Sequence, residues 1–397
     1  YLLPYLEAVI HYPPSFFEGF AVTTDIFIVR KQHQTAKKIS FLNVKDTSLL
    51  ADLDTLKEII ENKNNILDEQ YSLINITRTE IDANSNWRLY LIDPEMKYKK
   101  FSEISNMKPL RAYFSNIIRG KADNAGGSKY MYPDSGNNDL KEFVSNIEPE
   151  YIGQGLKINK ISKGRRRFLL TDQCLLSSRG INVPQEILDD LDHIQLPLGI
   201  TSYLSAMKDK LGREKFKKVM SNIVNSQMTP DIIIPRGDRI KHAVFYYPEN
   251  EIPTLLSTNF FALIGYNSDA KFSKEKGVKF ISAFLTSSFG QIQFEIHGNS
   301  QEGSRKIEKR NIEKIYIPDP DSLSNYQLDR VLEAYHSLDA MNIDVLGIEE
   351  INLRDELDSA IANIIFMENN LDFESSSILK EYFQKFLREL VENRVKP

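Results

Sequence analysis

The chain has 397 residues, 41% of them hydrophobic and 26% charged, with a formal net charge of −5, the profile of a globular protein long enough for two or three buried cores. No run approaches the roughly 20 apolar residues that span a bilayer, and the single cysteine, Cys174, leaves no intramolecular disulfide and no thiolate zinc site. The six histidines (His11, His33, His193, His242, His297 and His336) are scattered, so membrane, disulfide-scaffold and structural-metal classes are set aside and a cytoplasmic location is expected.

Leu2, Leu3, Leu6, Val9 and Ile10 predict a short helix running into a strand, and the apolar opening carries Glu7 and no basic leader. Phe20 to Lys31 reads as a β-branched strand whose last apolar positions look buried on both faces. Asp52 to Leu67 places Leu53, Leu56, Ile59, Ile60 and Ile66 on one helical face, while Asn75 to Thr79 and Trp87 to Ile92 look extended. Trp87 is read as a core aromatic of a strand rather than a base-stacking one.

Charge is divided unevenly along the chain. Lys97 to Gly180 holds 16 Lys and Arg against 8 Asp and Glu, whereas Asp319 to Pro397 holds 7 against 17. A basic middle with an acidic tail suits a module that meets phosphate with one surface. Cations, aromatics and glycines interleave there: Arg119, Lys121, Lys129 and Tyr130, then Lys157, Lys160, Lys163, Arg165, Arg166 and Arg167. Arg236 and Arg239 follow further on. Phosphate contacts give affinity through counterion release, and Arg, Asn or Gln at groove edges read sequence. The bland reading of Lys163 to Arg167 is a solvated loop, and that of Arg236 and Arg239 is pairing with Asp231 or Asp238. Asp123, Asn124 and Asn137 are either base readers or turn residues. Asp190 to Met228 is expected to be a mainly helical insert.

From Lys279, the residues Phe280, Ile281, Phe284, Leu285 and Phe289 predict a helix, Gln291 to Ile296 a strand, and Gly298 to Gly303 a polar loop. Arg305, Lys309 and Arg310 flank that loop, and Ile315 and Ile317 end at Pro318 and Pro320. Residues 321–397 are helical by the spacing of Tyr326 to Tyr335, Leu353 to Ile365 and Ile378 to Val391. Asp355, Glu356 and Asp358 are read as a solvated helix face rather than metal ligands.

Several of these stretches, in this order, resemble N6-adenine DNA methyltransferases, especially the long fused enzymes of type II and type IIG restriction-modification systems. Phe284-Leu285-Thr286-Ser287-Ser288 is similar to that family's "hhhLNSs", with Thr286 in place of Asn, and Ile315 to Pro320 to its closing "hxhPxP". Ile26 to Lys31 resembles the end of the catalytic domain, Phe114 to Ala125 the entry of the recognition domain, and Arg354 to Ile361 the "RxeLDxxh" tail. Ile147 to Ile152 and Asp231 to Ile240 match further blocks, although Gly153 stands near an expected proline. The family's catalytic motif, a polar residue followed by Pro-Pro and an aromatic, has no counterpart: Tyr12-Pro13-Pro14-Ser15 has the wrong neighbours and reads as a turn. Gly126-Gly127-Ser128-Lys129 is likewise too short for a nucleotide loop.

The resemblance implies the DNA target-recognition part of such an enzyme, with double-stranded DNA and an upstream methyltransferase domain as partners. It implies no catalytic, metal or cofactor residue in this chain, and S-adenosylmethionine for the parent enzyme. The fold class expected is mixed α+β. Residues 1–45 would be the last strands of a Rossmann-like methyltransferase sheet, 46–105 a connecting α/β segment, 106–320 an α/β target-recognition domain and 321–397 a C-terminal helical segment. A non-catalytic interaction or specificity subunit of a phage-defence complex is the alternative. A nuclease is disfavoured, because no [Asp/Glu]-x-Lys follows Pro133-Asp134, Pro230-Asp231 or Pro318-Asp319 at suitable spacing.

Overall fold

The structure, a computed structural model, describes residues 3–12, 24–31, 38–46, 48–49, 52–62, 64–81, 87, 89–92, 104, 106–121, 128–132, 138–156, 172–175, 196–238, 242–246, 254–267, 271–301, 304–340, 348–367 and 373–395. In chain order it begins with strands β1 (Leu6–Tyr12), β2 (Thr24–Val29) and β3 (Lys38–Val44), helix α1 (Leu53–Glu61), and strands β4 (Ile66–Leu67) and β5 (Tyr71–Thr77). Strands β6 (Met107–Pro109), β7 (Phe114–Arg119), β8 (Ile152–Leu156) and β9 (Asp172–Leu175) lead to helices α2 (Leu198–Leu211) and α3 (Arg213–Ser226). Six strands follow: β10 (Gln227–Met228), β11 (Ile232–Pro235), β12 (Gly237–Asp238), β13 (Phe245–Tyr246), β14 (Thr254–Leu256) and β15 (Phe260–Tyr266). Helices α4 (Lys274–Thr286) and α5 (Ser288–His297), strands β16 (Asn299–Gln301), β17 (Ser304–Lys306) and β18 (Tyr316–Pro318), and helices α6 (Asn325–Ala340), α7 (Ile348–Met367) and α8 (Ser376–Val395) complete it.

The first sheet has the order β2-β1-β3-β5-β4, with β1 and β3 parallel and the other pairs antiparallel. Its inner strands are buried on both faces. Leu6, Val9, Ile39, Phe41, Ile74 and Ile76 pack with Tyr90 and Leu91 on one side, and Ile10, Leu42, Val44 and Leu73 with Leu56 and Ile59 of α1 on the other. Asp52 starts α1 by accepting the N–H groups of Asp54 and Thr55. Several expectations change here. The β2 strand is an edge, and its Ile26, Phe27 and Val29 are 44%, 47% and 47% exposed rather than buried. The predicted helix ends at Glu61, so Ile66 lies in β4 and Leu53 faces solvent. Leu89–Ile92 is a helical turn instead of a strand, and Trp87 is half-buried against the core as a packing residue. The expected division between residues 45 and 46 falls within this sheet, because β3 and β5 are paired along their whole length.

The largest core is centred on α4 and α5. Phe280, Phe284, Leu285, Phe289, Ile292 and Phe294 are all essentially inaccessible, so α5 and the later turns of α4 are enclosed, and only the first turn of α4, with Lys274, Glu275 and Lys276, is exposed. The antiparallel sheet β13-β11-β15-β7 lays Phe114, Ile117, Ile232, Ile234, Phe261 and Leu263 against this core. Its other face carries Ile233, Phe245, Phe260 and Ala262 onto Met228 and Leu256. The C-terminal helices close the core with Leu328, Leu357, Ile361, Phe383 and Leu390. The α5 helix replaces the strand expected over Gln291 to Ile296, and Gly298 to Gly303 falls in the hairpin β16-β17, of which residues 302–303 lie outside the described residues.

Asp358 is the polar keystone of this packing. It is 1% exposed, not on a solvated face as expected, and accepts the Ser288 N–H at 2.7 Å and Ser288 Oγ–H at 2.6 Å, with Gln384 Nε2 at 2.9 Å. A carboxylate at the N-terminus of α5 satisfies its orphan N–H and suits the helix dipole. Asp355 pairs with Lys380 and Gln384 on α8.

A smaller core lies under α2 and α3. The sheet β10-β14-β8-β9, with β14 and β8 parallel, and the cluster of Tyr130, Tyr132, Leu140, Tyr203, Leu204, Met207, Phe216 and Met220 bury one face of this helix pair. Glu148, in the block matched from sequence, accepts the N–H groups of Gly199 and Ile200, both at 2.9 Å, and so caps α2 from outside it.

Candidate nucleic-acid interface

Three segments distant in sequence meet where β7, β11 and the connection after β17 end. Arg119 is the last residue of β7, opposite Phe261 of β15. Gly120 then turns the chain so tightly that a Cβ there would lie 2.2 Å from the Ser257 carbonyl oxygen and 2.4 Å from that of Leu256. Only glycine lets β7 end so close to that backbone. Arg236 follows β11, its N–H donating to Asn259 O at 2.7 Å and its carbonyl accepting Ile307 N–H at 2.8 Å. These bonds fix both guanidinium groups around Glu308. Arg236 donates Nε–H and Nη2–H to Glu308 Oε1 at 3.0 and 2.6 Å, and Arg119 Nη1 lies 4.0 Å from Glu308 Oε2 while its Nε–H donates to Thr258 O at 2.9 Å.

One carboxylate therefore serves two guanidinium groups, and the site keeps a net positive charge. Lys309 and Arg310 stand exposed on the following short helix, Lys309–Ile312; Lys309 Nζ is 3.8 Å from Glu313, a loose surface pair. Lys121 is exposed beyond Gly120. Chemically this is a cationic rim with two preoriented guanidinium forks, suited to phosphate oxygens or guanine edges.

A second group repeats the arrangement. Asp139 Oδ2 pairs with Lys129 Nζ at 3.1 Å and Lys210 Nζ at 2.6 Å. Those two ammonium groups, Lys210 foremost, hold its carboxyl well below the usual carboxylate range. The Lys129 ammonium also lies 4.7 Å from the centre of the Tyr130 ring, and the Tyr130 and Asp139 contacts raise its pKa.

Two residues expected at the interface lie in cores instead. Tyr130 is buried and its carbonyl accepts Tyr203 Oη–H at 2.9 Å. Arg305 is 2% exposed and forms an ion pair with Glu295 inside the main core. Gly298 makes room for it, since a Cβ there would lie 2.0 Å from Arg305 Cδ. Arg236 pairs with Glu308, neither of the partners weighed from the sequence, while Asp231 is buried against Lys274 and the Tyr266 N–H. Lys157, Lys160, Lys163, Arg165, Arg166, Arg167 and Arg239 lie outside the described residues, as do Asp123, Asn124 and Asn137. The basic run belongs to the connection between β8 and β9, whose Gly155 and Asp172 are paired. Glu308, Asp139 and Lys210 were not anticipated, although Glu308 is conspicuous as a lone acid between Arg305-Lys306 and Lys309-Arg310.

Among the described residues, no group of His, Cys, Asp and Glu could hold a metal ion, and no helix is long and apolar enough to cross a membrane. Residues 118–345 match the family model described as the specificity domain of restriction endonuclease BpuSI. The chain belongs to this family. The match encloses Arg119, Glu308 and Arg236, the pair Lys129 and Lys210, and both buried helices of the main core. Beyond this specificity domain, the chain is similar to the crystal structure of the type IIG restriction endonuclease BpuSI. That similarity has a TM-score of 0.55 and 19% identity, over 98% of this chain and 44% of the endonuclease, and establishes a shared fold. The specificity-domain chain thus spans less than half the length of that solved relative. No curated protein matches it in sequence.

Proposed function

We propose that this chain recognises a DNA sequence on behalf of a longer restriction-modification enzyme. The observation that carries the reading is the match over residues 118–345 to a specificity domain, within which the Arg119–Glu308–Arg236 cluster lies. Lys121, Lys309 and Arg310 would contact phosphates and give affinity without sequence preference. The two guanidinium groups, Arg236 held by Glu308 and Arg119 by the Thr258 carbonyl, are the candidates for reading base edges.

The finer reading is that the parent is an adenine-N6 methyltransferase and that β1 to β5 are the last strands of its Rossmann-like sheet. Support comes from the resemblance of Ile26 to Lys31 to the end of such a domain, and from the parallel pairing of β1 with β3. The apolar edge β2 leaves Ile26, Phe27 and Val29 exposed, as a strand awaiting further protein would. S-adenosylmethionine would supply the methyl group on the remaining part of the enzyme, as the sequence resemblance implies. This chain's part would be to hold the duplex in register while a target adenine is rotated out of the stack.

Fluorescence anisotropy with labelled 30-base-pair duplexes tests the DNA reading. Submicromolar binding that weakens steeply as salt rises is expected; no binding to any duplex at low salt would rule it out. Calorimetry with S-adenosylmethionine tests the placing of the cofactor, since heat of binding to this chain would contradict it.

A further inference from the structure

The helical hairpin α2-α3 carries a charge pattern that, Lys210 apart, the interface described above does not use. Between Lys208 and Lys218 there are six cations, Lys208, Lys210, Arg213, Lys215, Lys217 and Lys218, against Asp209 and Glu214. The turn joining the helices is Gly212, with φ 73°, where a Cβ would meet nothing within 4 Å. The turn itself therefore faces open space, with Lys210 beside it held by Asp139. The hairpin's opposite face is anchored by buried Met207, Phe216, Val219 and Met220, which leaves Lys210, Arg213, Lys215 and Lys218 exposed.

Helix stability does not account for this pattern. Lys208 and Lys210 in the last turn of α2 suit that helix's dipole. Arg213 and Lys215 open α3, and Lys217 and Lys218 follow within its next turn, where positive charge opposes the dipole; Glu214 is the one acid of that first turn. The penalty falls on the first-turn cations Arg213 and Lys215, since the dipole's effect fades within the first turn. Acidic residues would keep the face equally well hydrated while stabilising the helix. The tip is also continuous with a residue expected at the DNA interface, because Lys210 and Lys129 share the Asp139 carboxylate.

We infer that the tip of the α2-α3 hairpin is a second, sequence-independent contact that grips the phosphate backbone of the bound duplex. The inference rests on the DNA-recognition reading and adds to it a division of labour. Arg119, Arg236 and the 309–310 rim meet the recognised site, and the hairpin holds duplex regardless of its sequence. Arg213, Lys215 and Lys218 would each neutralise one phosphate, while Lys210 stays shared with Asp139, and Asp209 and Glu214 limit the net charge. Because backbone contacts contribute a slope of about −0.9 in log K against log salt for each phosphate neutralised, the contribution has a signature separate from sequence reading.

The test uses the whole 397-residue chain and 30-base-pair duplexes, with anisotropy recorded between 50 and 300 mM NaCl. Replacing Lys210, Arg213, Lys215 and Lys218 together by Gln keeps helix propensity and removes the charge. The salt slope is expected to become shallower by about 3, with affinity for every duplex lowered roughly 10- to 1000-fold at the lower salt concentrations and the ranking of sequences unchanged. Circular dichroism and melting temperature check that the variant is folded. Should it prove unstable, Asp209→Asn gives the opposite arm, removing an exposed acid at the tip, and is expected to tighten binding about two- to fivefold. A folded Gln variant with the wild-type slope and affinity, or unchanged binding in Asp209→Asn, would overturn the inference while leaving DNA recognition standing. Absence of binding by the wild-type chain would overturn both.

Discussion

Glu308 accepts two hydrogen bonds from Arg236 on a single carboxylate oxygen, at 3.0 and 2.6 Å, while its other oxygen faces Arg119. The carboxylate aims both guanidinium groups and at the same time cancels part of their charge. Glu308→Gln keeps the shape and removes the negative charge, so binding to duplex DNA of any sequence should tighten about three- to tenfold at 0.1 M salt, with a steeper salt slope. An anisotropy titration reads both quantities. Weaker binding would mean that aiming the arginines matters more than their net charge.

Gly120 places Arg119 and Lys121. A Cβ at this position would lie 2.2 Å from the Ser257 carbonyl oxygen, which belongs to backbone and cannot swing aside. Gly120→Ala should therefore cost about 2 kcal/mol of stability and weaken DNA binding beyond what the lost stability explains, because the end of β7 must move. Denaturant melts alongside binding curves separate the two effects. A variant of native stability would show that the local backbone relaxes freely.

Asp358 ties α7 to the first turn of α5 and to Gln384 of α8. Arg354, whose pKa burial lowers, has the Asp358 charge acting in the opposite sense. Asp358→Ala would leave Ser288 and a buried guanidinium without their carboxylate and Gln384 with Asp355 alone, a loss of about 3–5 kcal/mol. Urea denaturation should show a lower midpoint with an unchanged slope. A loss below about 1 kcal/mol would remove Asp358 from its place at the centre of the C-terminal packing.

His297 closes α5 in a half-buried position, and its desolvation, with a smaller effect from the Lys314 charge, lowers its pKa to about 4 from the ordinary 6.5. The unfolded chain takes up a proton as pH falls below 6.5, whereas the folded chain resists until about pH 4. Stability is therefore full above pH 6.5 and declines as pH falls through this window, by about 1–3 kcal/mol from this group. Comparing melting temperatures of the wild type and His297→Gln from pH 7 to pH 4 isolates it: the wild type should lose more. Parallel curves would contradict the assignment.

Much of the chain was legible from its own pattern. The C-terminal helices follow from their apolar spacing, and the family was recognisable from ordered motifs such as Phe284 to Ser288 and Arg354 to Ile361. What the pattern hid were partners far away in sequence. Gln291 to Ile296 alternates polar and apolar residues like a strand, yet it lies in a fully buried helix. Gln291 donates to His242 O and Leu285 O, Gln293 bonds both Tyr316 N–H and O, and Glu295 pairs with Arg305. Each polar side chain is satisfied inside the core, so alternation carries no information about exposure there. The same cause misplaced Arg305 at the interface and Asp358 on a solvated face, since Glu295 and Ser288 become visible only once the helices are packed. Arg119 and Arg236, by contrast, do stand at strand ends, where charged side chains reach solvent.

On the proposed reading, a cationic surface at the ends of β7, β11 and the 307–310 segment holds duplex DNA. It is tested most directly by the salt dependence of binding for the wild type and for Arg119→Ala, Lys309→Ala and Arg310→Ala combined. The wild type should bind with log K falling linearly against log salt, and the triple variant should lose about 2–3 from the magnitude of that slope on every duplex tested. A wild-type affinity indifferent to salt, or a folded triple variant that tracks the wild type at every salt concentration, would contradict it.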